Sequence, residues 1–194
     1  NGHKMDKMGV KNMELLTKAS YSGEVTEREK RNLDVAYRAA CESMVLLKNE
    51  GVLPLQTKKV ALYGPGVTRT IKGGTGSGEV NERHSVTILE GMKNRGFEIT
   101  TGKWLADYED AFEEGAIAHK KAQRDIIKLL KSKSFMEMML KGYTPPAGRA
   151  ITEKDIIDSN TDTAIYVISR QAGEGGDRKA EKGDLFITDE ERRA

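Results

Sequence analysis

Glu174 stands in the segment SRQAGEGGDRKAEKGD with a glycine on either side and another directly after. A carboxyl group on a backbone with this much freedom can approach a glycosidic oxygen, donate a proton and withdraw, as a general acid does. Asp177 and Arg178 follow closely and can pair to fix the loop. The alternative is a solvated surface glutamate, because most surface carboxylates do no chemistry. The residues alone leave both interpretations open.

A second glycine-rich loop, KGGTGSGEV at residues 72–80, places two hydroxyl groups among four glycines. Glycines allow the backbone to approach a ligand closely, and hydroxyl groups both donate and accept hydrogen bonds. Thr75, Gly76 and Ser77 are therefore candidate contacts for a sugar. A flexible surface loop has a similar composition, and this alternative also stays open.

The residues before this loop, GPGVTR at 64–69, share some features with a dinucleotide-binding turn. Arg69 holds the position of the third glycine, however, and Pro65 lacks an N–H donor. The next predicted strand ends in threonines, where a dinucleotide site has an acidic residue for the ribose. The phosphate-binding signatures GxxxxGKS and GxxxxGKT are absent. These departures disfavour a nucleotide site, which remains an alternative.

Helical and strand-like patterns alternate along the chain. A capping box at Thr26 and Glu29 and the apolar positions after it predict a helix over 26–43. We then expect, in chain order, a strand at 59–63, a helix over 85–95 that stops at Gly96, a strand at 97–100, a long helix over 104–141, a short helix opened by Thr152 and Asp155 with Ile156 and Ile157 facing inward, and a strand over 162–169. This order predicts a layered α/β fold with a mostly parallel sheet, and both glycine-rich loops at its carboxyl edge.

Composition limits the kinds of partner. The 194 residues carry a net charge of +2, which predicts an ordinary polar surface and no nucleic-acid partner. No apolar run is long enough to span a membrane. One cysteine, Cys41, and three scattered histidines give no metal-ligand spacing, so we expect no metal site. The single cysteine and the absence of a leader favour a cytoplasmic location.

Three segments, ESMVLLKNEG leading to LPL, KGGTGSGEV and SRQAGEGGDRKAEKGD, resemble in sequence and order the second domain of glycoside hydrolase family 3, the β-glucosidase-like enzymes. The resemblance runs over residues 34–191. It implies a retaining glycosidase without a cofactor, in which a barrel carries an aspartate nucleophile and an α/β sandwich leans over the site. It also implies that Glu174 is the general acid/base and that Ser77 contacts the sugar. Asp177 and Arg178 match the family's loop without a catalytic role.

The resemblance also implies a domain organisation. Residues 1–25 are a leader or linker, residues 26–194 are about the first half of an α/β sandwich domain, and residues 104–150 are a possible helical insertion. A capping box at Thr188 and Glu191 opens a helix close to the last residue, so we expect a fragment of a longer protein.

The barrel and its nucleophile are not among these residues, so we expect the chain alone to be inactive as a glycosidase. The expected substrate is a β-linked glucoside or a related small saccharide, and the expected partner is the catalytic barrel of the same protein. The alternative function is that of a non-catalytic α/β module that binds a sugar or a nucleotide.

Overall fold

The computed structural model describes residues 23–74, 78, 82, 84–127, 143, 145–172 and 178–193. By its internal contacts the chain divides into two units, Asn1–Leu53 and Pro54–Ala194. Most of the expected leader or linker at residues 1–25 lies outside the described residues, so its assignment stays a prediction.

The first unit contains helix α1, Glu27–Ser43. The Thr26 hydroxyl accepts a hydrogen bond from the Glu29 N–H at 3.2 Å, and the Glu29 carboxylate accepts one from the Thr26 N–H at 2.7 Å. The predicted helix and its capping box are therefore confirmed. After the helix, the side chain of Asn49 accepts a hydrogen bond from the Gly51 N–H and closes a tight turn.

The described part of the second unit alternates strands and helices. In chain order they are β1 (Lys59–Tyr63), α2 (Ile88–Asn94), β2 (Glu98–Ile99), α3 (Gly102–Ile127), α4 (Glu153–Ser159), β3 (Ala164–Tyr166) and α5 (Asp189–Arg193). The strands form one sheet in the order β2-β1-β3, and both pairings are parallel. The predicted α/β fold with a parallel sheet is confirmed.

The core surrounds β1, the central strand. Its residues Val60–Tyr63 are buried in one cluster with Trp104, Leu105 and Tyr108 from the first turns of α3. The Trp104 ring meets the Tyr63 ring edge to face, with centroids 5.5 Å apart, and it stacks on Tyr108 at 6.1 Å. Burial explains why Val60–Tyr63 are continuously apolar rather than alternating. This packing holds the carboxyl end of β1, where the first glycine-rich loop begins.

Thr101 continues the pairing of β1 beyond the end of β2. Its hydroxyl donates a hydrogen bond to the Leu62 carbonyl at 2.6 Å and accepts one from the Leu62 N–H at 2.9 Å. Thr101 is only 5% exposed, so water does not replace these bonds. The Thr101 side chain thus takes the place of a strand residue beside β1. It satisfies the Leu62 backbone groups at the point where the main chain turns into α3.

Thr101→Val is expected to lower the stability of the sheet by at least about 2 kcal/mol, because it leaves two buried backbone groups unpaired at about 1–3 kcal/mol each. Hydrogen exchange of the Leu62 amide and the midpoint of thermal unfolding measure this loss. Thr101→Ser keeps the hydroxyl and is the matched control, with a much smaller loss. Similar stability of the Val and Ser variants would contradict the role given to Thr101.

The prediction for α4 is correct in place and wrong in orientation. The capping box of Thr152 and Asp155 is present, but Ile156 and Ile157 are 60% and 74% exposed rather than facing inward. The helix instead presents Asp155 and the buried Ser159 toward the sheet, and the Tyr63 hydroxyl donates to the Asp155 carbonyl at 3.3 Å. The polar contacts of Asp155 fix the rotation of this short helix, and the isoleucines face the other side.

Two other helices differ from the prediction in their described bounds. Thr87 caps α2 through its own capping box, so this helix is shorter than the predicted 85–95, and the chain leaves it at Gly96 with a φ of +79°. The long helix predicted over 104–141 is described as α3 up to Ile127. Residues 128–142 lie outside the described part of the chain, and the insertion over 104–150 stays a prediction.

Candidate functional site

Two loops leave the carboxyl ends of the adjacent strands β1 and β3, as predicted. They are in contact from their first residues onward. Gly64 has a φ of +94°, and a Cβ atom there would lie 2.5 Å from the Val167 carbonyl oxygen. A Cβ atom on Gly66 would lie 2.5 Å from Cγ1 of Val167, and the Gly66 N–H donates to the Val167 carbonyl at 3.2 Å. Both glycines are therefore required by the close approach of the chain after β3.

The two loops are still in contact farther from the sheet. The Gln171 side-chain amide donates a hydrogen bond to the Gly73 carbonyl at 3.3 Å. A Cβ atom on Gly74 would lie 2.7 Å from the Ala172 carbonyl oxygen. Gly74 directly precedes Thr75, and Ala172 directly precedes the segment that holds Glu174. The described ends of the two predicted site segments thus lie side by side.

Most of the predicted site residues lie outside the described part of the chain. These are Thr75, Gly76, Ser77, Glu174 and Asp177. Their roles stay predictions. Of the predicted site residues, Arg178 is the described one, and its position shows how the loop after β3 is anchored.

Arg178 is paired with Asp184. Its guanidinium forms an ion pair with the Asp184 carboxylate and donates to the Asp184 carbonyl at 2.6 Å. The Lys179 N–H donates to the same carboxylate at 2.6 Å. This backbone hydrogen bond and then Arg178 hold the pKa of Asp184 below its usual range. Arg178 is thus paired with Asp184 rather than with a partner that the sequence suggested. Asp177 lies outside the described residues, and the loop-supporting role of both residues stays a prediction.

Arg170 anchors the other side of the loop. Its guanidinium donates two hydrogen bonds to the carboxylate of Glu191, whose side chain is 2% exposed, and one to the Asp184 carbonyl at 3.0 Å. The Glu191 carboxylate also accepts from the Thr188 N–H at 2.8 Å in the predicted capping box. Arg170 holds the pKa of Glu191 below its usual range. A bidentate, charge-assisted pair of this kind is stronger and more directional than a single hydrogen bond.

Four residues anchor this loop, and we call them the anchor cluster: Arg170, Arg178, Asp184 and Glu191. The sequence analysis named only Arg178 as a loop-supporting residue and missed the other three. Glu191 was assigned only a helix-capping role, and Arg170, which directly follows the predicted strand over 162–169, was given no role. A detectable signal was the pair of arginines placed on both sides of the glycines around Glu174. Both arginines donate to the Asp184 carbonyl, and this shared acceptor can be identified only from the folded structure.

The described residues contain no cluster of three His, Cys, Asp or Glu side chains suited to a metal ion. In the same described ranges, none of the helices combines the length and the apolar character needed to cross a membrane. What the described residues define is a parallel α/β domain with two interlocked glycine-rich loops at the carboxyl edge of its sheet.

The comparison with known families identifies the family of this domain. Residues 44–189 match the Glycosyl hydrolase family 3 C-terminal domain. The chain belongs to this family.

Individual relatives agree with this membership. Beta-glucosidase A of Butyrivibrio fibrisolvens is 32% identical over 168 residues, which are 86% of this chain and 18% of that protein. The structure of beta-glucosidase 3B from Thermotoga neapolitana in complex with alpha-D-glucose is 35% identical, with a TM-score of 0.61 over 86% of this chain and 22% of that chain. Its complex with glycerol gives 36% identity and a TM-score of 0.60. The chain therefore spans less than a quarter of the length of these relatives.

Proposed function

We propose that this chain is the part of a retaining, exo-acting β-glucosidase-like glycoside hydrolase that supplies the general acid/base to a catalytic barrel in the same protein. The observation that carries the proposal is the contact between Gly74 and Ala172, which brings together the starts of the two segments with the candidate residues. Because the chain belongs to this family, we interpret the two adjoining segments as parts of one glycosidase site.

The proposed chemistry needs two carboxyl groups. In retaining hydrolysis they lie about 5–5.5 Å apart, one as nucleophile and the other as proton donor and then as base. Glu174 is the proposed donor, and the nucleophile is an aspartate of the barrel. Because the two groups come from different domains, the donor must reach across a cleft, and glycines on both sides of Glu174 give its loop that reach. This mechanism uses no metal and no cofactor.

The proposed substrate is a β-linked glucoside or a related small saccharide. The curated and structural relatives are named beta-glucosidases, and one of the structures holds glucose. Thr75, Gly76 and Ser77 are the proposed sugar contacts of this chain, because hydroxyl and backbone groups suit the hydroxyls of a sugar ring. Sugar specificity rests mainly on the barrel, which provides the other side of the proposed site.

Hydrolysis of an aryl β-glucoside by the complete protein, followed by proton NMR, tests this function. Retention predicts that the β-anomer of the released sugar appears first and then mutarotates. Release of the α-anomer first would overturn the retaining mechanism. Sugar binding without any hydrolysis would instead favour the non-catalytic binding module.

The nucleotide-binding alternative makes a separate prediction, which is stabilisation against heat by NAD or ATP. The described structure offers it little support. The first helix described after the glycines that follow β1 is α2, which begins only at Ile88, so no described helix N-terminus directly follows Gly66 to receive a pyrophosphate. We expect no shift in the unfolding midpoint with either nucleotide.

A further inference from the structure

The segment that contains Glu174 is bounded by two arginines that share one acceptor. Arg170 Nε donates to the Asp184 carbonyl at 3.0 Å, and Arg178 donates to the same oxygen at 2.6 Å. The main chain on both sides of the segment is thereby tied to a single point. We therefore expect a change in either arginine to alter the spacing of the two ends of the segment.

Arg170 is the better anchored of the two arginines. Its side chain is 19% exposed and is paired with Glu191, which is nearly buried, whereas the Arg178 and Asp184 side chains are 33% and 27% exposed. Arg170 also donates to the carbonyl of Ser169, next to it in the chain, at 2.9 Å. Ion pairs that are shielded from solvent lose less of their strength to screening than exposed pairs do. The Arg170–Glu191 pair is thus the fixed end of the anchor cluster.

We propose that Arg170, held by Glu191, is a positioning residue that sets the place of the proton donor on the loop after β3. This inference rests on the proposed function and extends it to residues that do not touch the substrate. Proton transfer depends steeply on distance, and a misplacement of about 1 Å can cost about 100-fold in rate. Arg170 lies only a few residues before Glu174 in the chain, so a shift of Arg170 changes the distance over which the proton is transferred.

A second ion pair, between Arg149 and Asp155, provides a control that distinguishes a positioning effect from a general loss of stability. Arg149 donates two hydrogen bonds to the Asp155 carboxylate at 2.6 and 2.8 Å, and Asp155 belongs to the capping box of Thr152. The Arg170–Glu191 pair has the same chemistry with the capping box of Thr188. Loss of the Arg149 pair disturbs a short helix that does not carry the proton donor, so it serves as the control.

The test measures kcat/KM of the complete protein for a phenyl β-glucoside, a poor leaving group that needs the proton, and for a dinitrophenyl β-glucoside, which does not. Arg170→Lys is expected to lower the first value by about 10-fold or more and the second by less than about 2-fold, by analogy with misplaced catalytic groups. Glu191→Gln, which preserves the size of the side chain, is expected to give the same pattern to a smaller degree. Arg149→Lys is expected to lower kcat/KM for neither glucoside more than for the other.

Equal losses on both glucosides in the Arg170 and Glu191 variants would overturn the positioning role, because a smaller folded fraction lowers both values alike. Thermal unfolding of each variant shows whether it is folded, and Glu191→Gln keeps the test open if Arg170→Lys does not fold. Glu174→Gln measured beside them distinguishes the two proposals. If Glu174→Gln is selective for the poor leaving group and Arg170→Lys is not, the positioning role alone fails. If Glu174→Gln shows no selectivity, the proposed function fails.

Discussion

Glu174→Gln in the complete protein is expected to lower kcat/KM for a phenyl or alkyl β-glucoside by about 10²–10⁴-fold, the usual contribution of a general acid. The amide has nearly the shape of the carboxyl group, but it cannot give a proton to the leaving oxygen. A dinitrophenyl β-glucoside leaves without a proton, so its kcat/KM is expected to fall much less. Steady-state kinetics on both glucosides measure the difference.

Glu181→Gln is the matched control for this variant, because Glu181 is an exposed glutamate of the same region of the chain. It is expected to leave both rate constants unchanged. Equal loss on the two glucosides in Glu174→Gln, or no loss on either, would mean that Glu174 is not the proton donor. A loss in Glu181→Gln equal to that in Glu174→Gln would point to a general effect of charge on the loop.

Gly64→Ala is expected to have a large effect on stability, a loss of about 2–5 kcal/mol as the sum of two costs. A left-handed backbone costs a side-chain-bearing residue about 1–2 kcal/mol, and overpacking in a core adds about 1–3 kcal/mol. At Gly64 both apply, because φ is +94° and the added Cβ atom would lie 2.5 Å from the Val167 carbonyl oxygen. That oxygen belongs to the main chain directly after β3, so it cannot move without disturbing the sheet.

Gly96→Ala separates the two contributions. Gly96 has a φ of +79°, but an added Cβ atom would meet no atom within 4 Å. Its variant is expected to lose only about 1–2 kcal/mol, the cost of the left-handed conformation alone. The midpoint of thermal unfolding and hydrogen exchange of the β1 amides compare the two variants. A loss at Gly64 no larger than that at Gly96 would refute the close contact between the two loops.

Local patterns predicted the parts of the fold that depend on local physics. The strand at Lys59–Tyr63 is apolar from Val60 onward, and three predicted capping boxes are present because their hydrogen bonds join residues three positions apart. The alternating order of strands and helices gave the parallel sheet and placed both loops at its carboxyl edge. Each of these inferences needed no knowledge of distant contacts.

Features that depend on distant contacts were missed or misjudged. Ile156 and Ile157 follow an amphipathic pattern, but the rotation of α4 is fixed by Arg149 and Tyr63, which come from elsewhere in the chain. Thr101 was considered only as a departure from a ribose site, whereas it closes the pairing of β1. A local pattern states what a segment prefers, and long-range hydrogen bonds decide between preferences of similar energy.

In the candidate site, too, features set by local sequence were predicted and features set by distant contacts were not. Glycine spacing and family resemblance pointed to the two loops, and the contacts of Gly64, Gly66 and Gly74 explain why glycine is needed there. Of the anchor cluster, only Arg178 was named from the sequence, and its partner was not. Hydrogen bonds of the anchor cluster connect Arg170 to Glu191 across a return of the chain whose path no local pattern specifies.

A crystal structure of the complete protein with a bound sugar inhibitor tests the central claim most directly. We expect the Glu174 carboxyl group to lie in the sugar-binding cleft, about 5–5.5 Å from the carboxylate nucleophile of the barrel and within hydrogen-bonding distance of the leaving-group position. A Glu174 side chain that lies outside the cleft and is bound to the protein's own scaffold would contradict it.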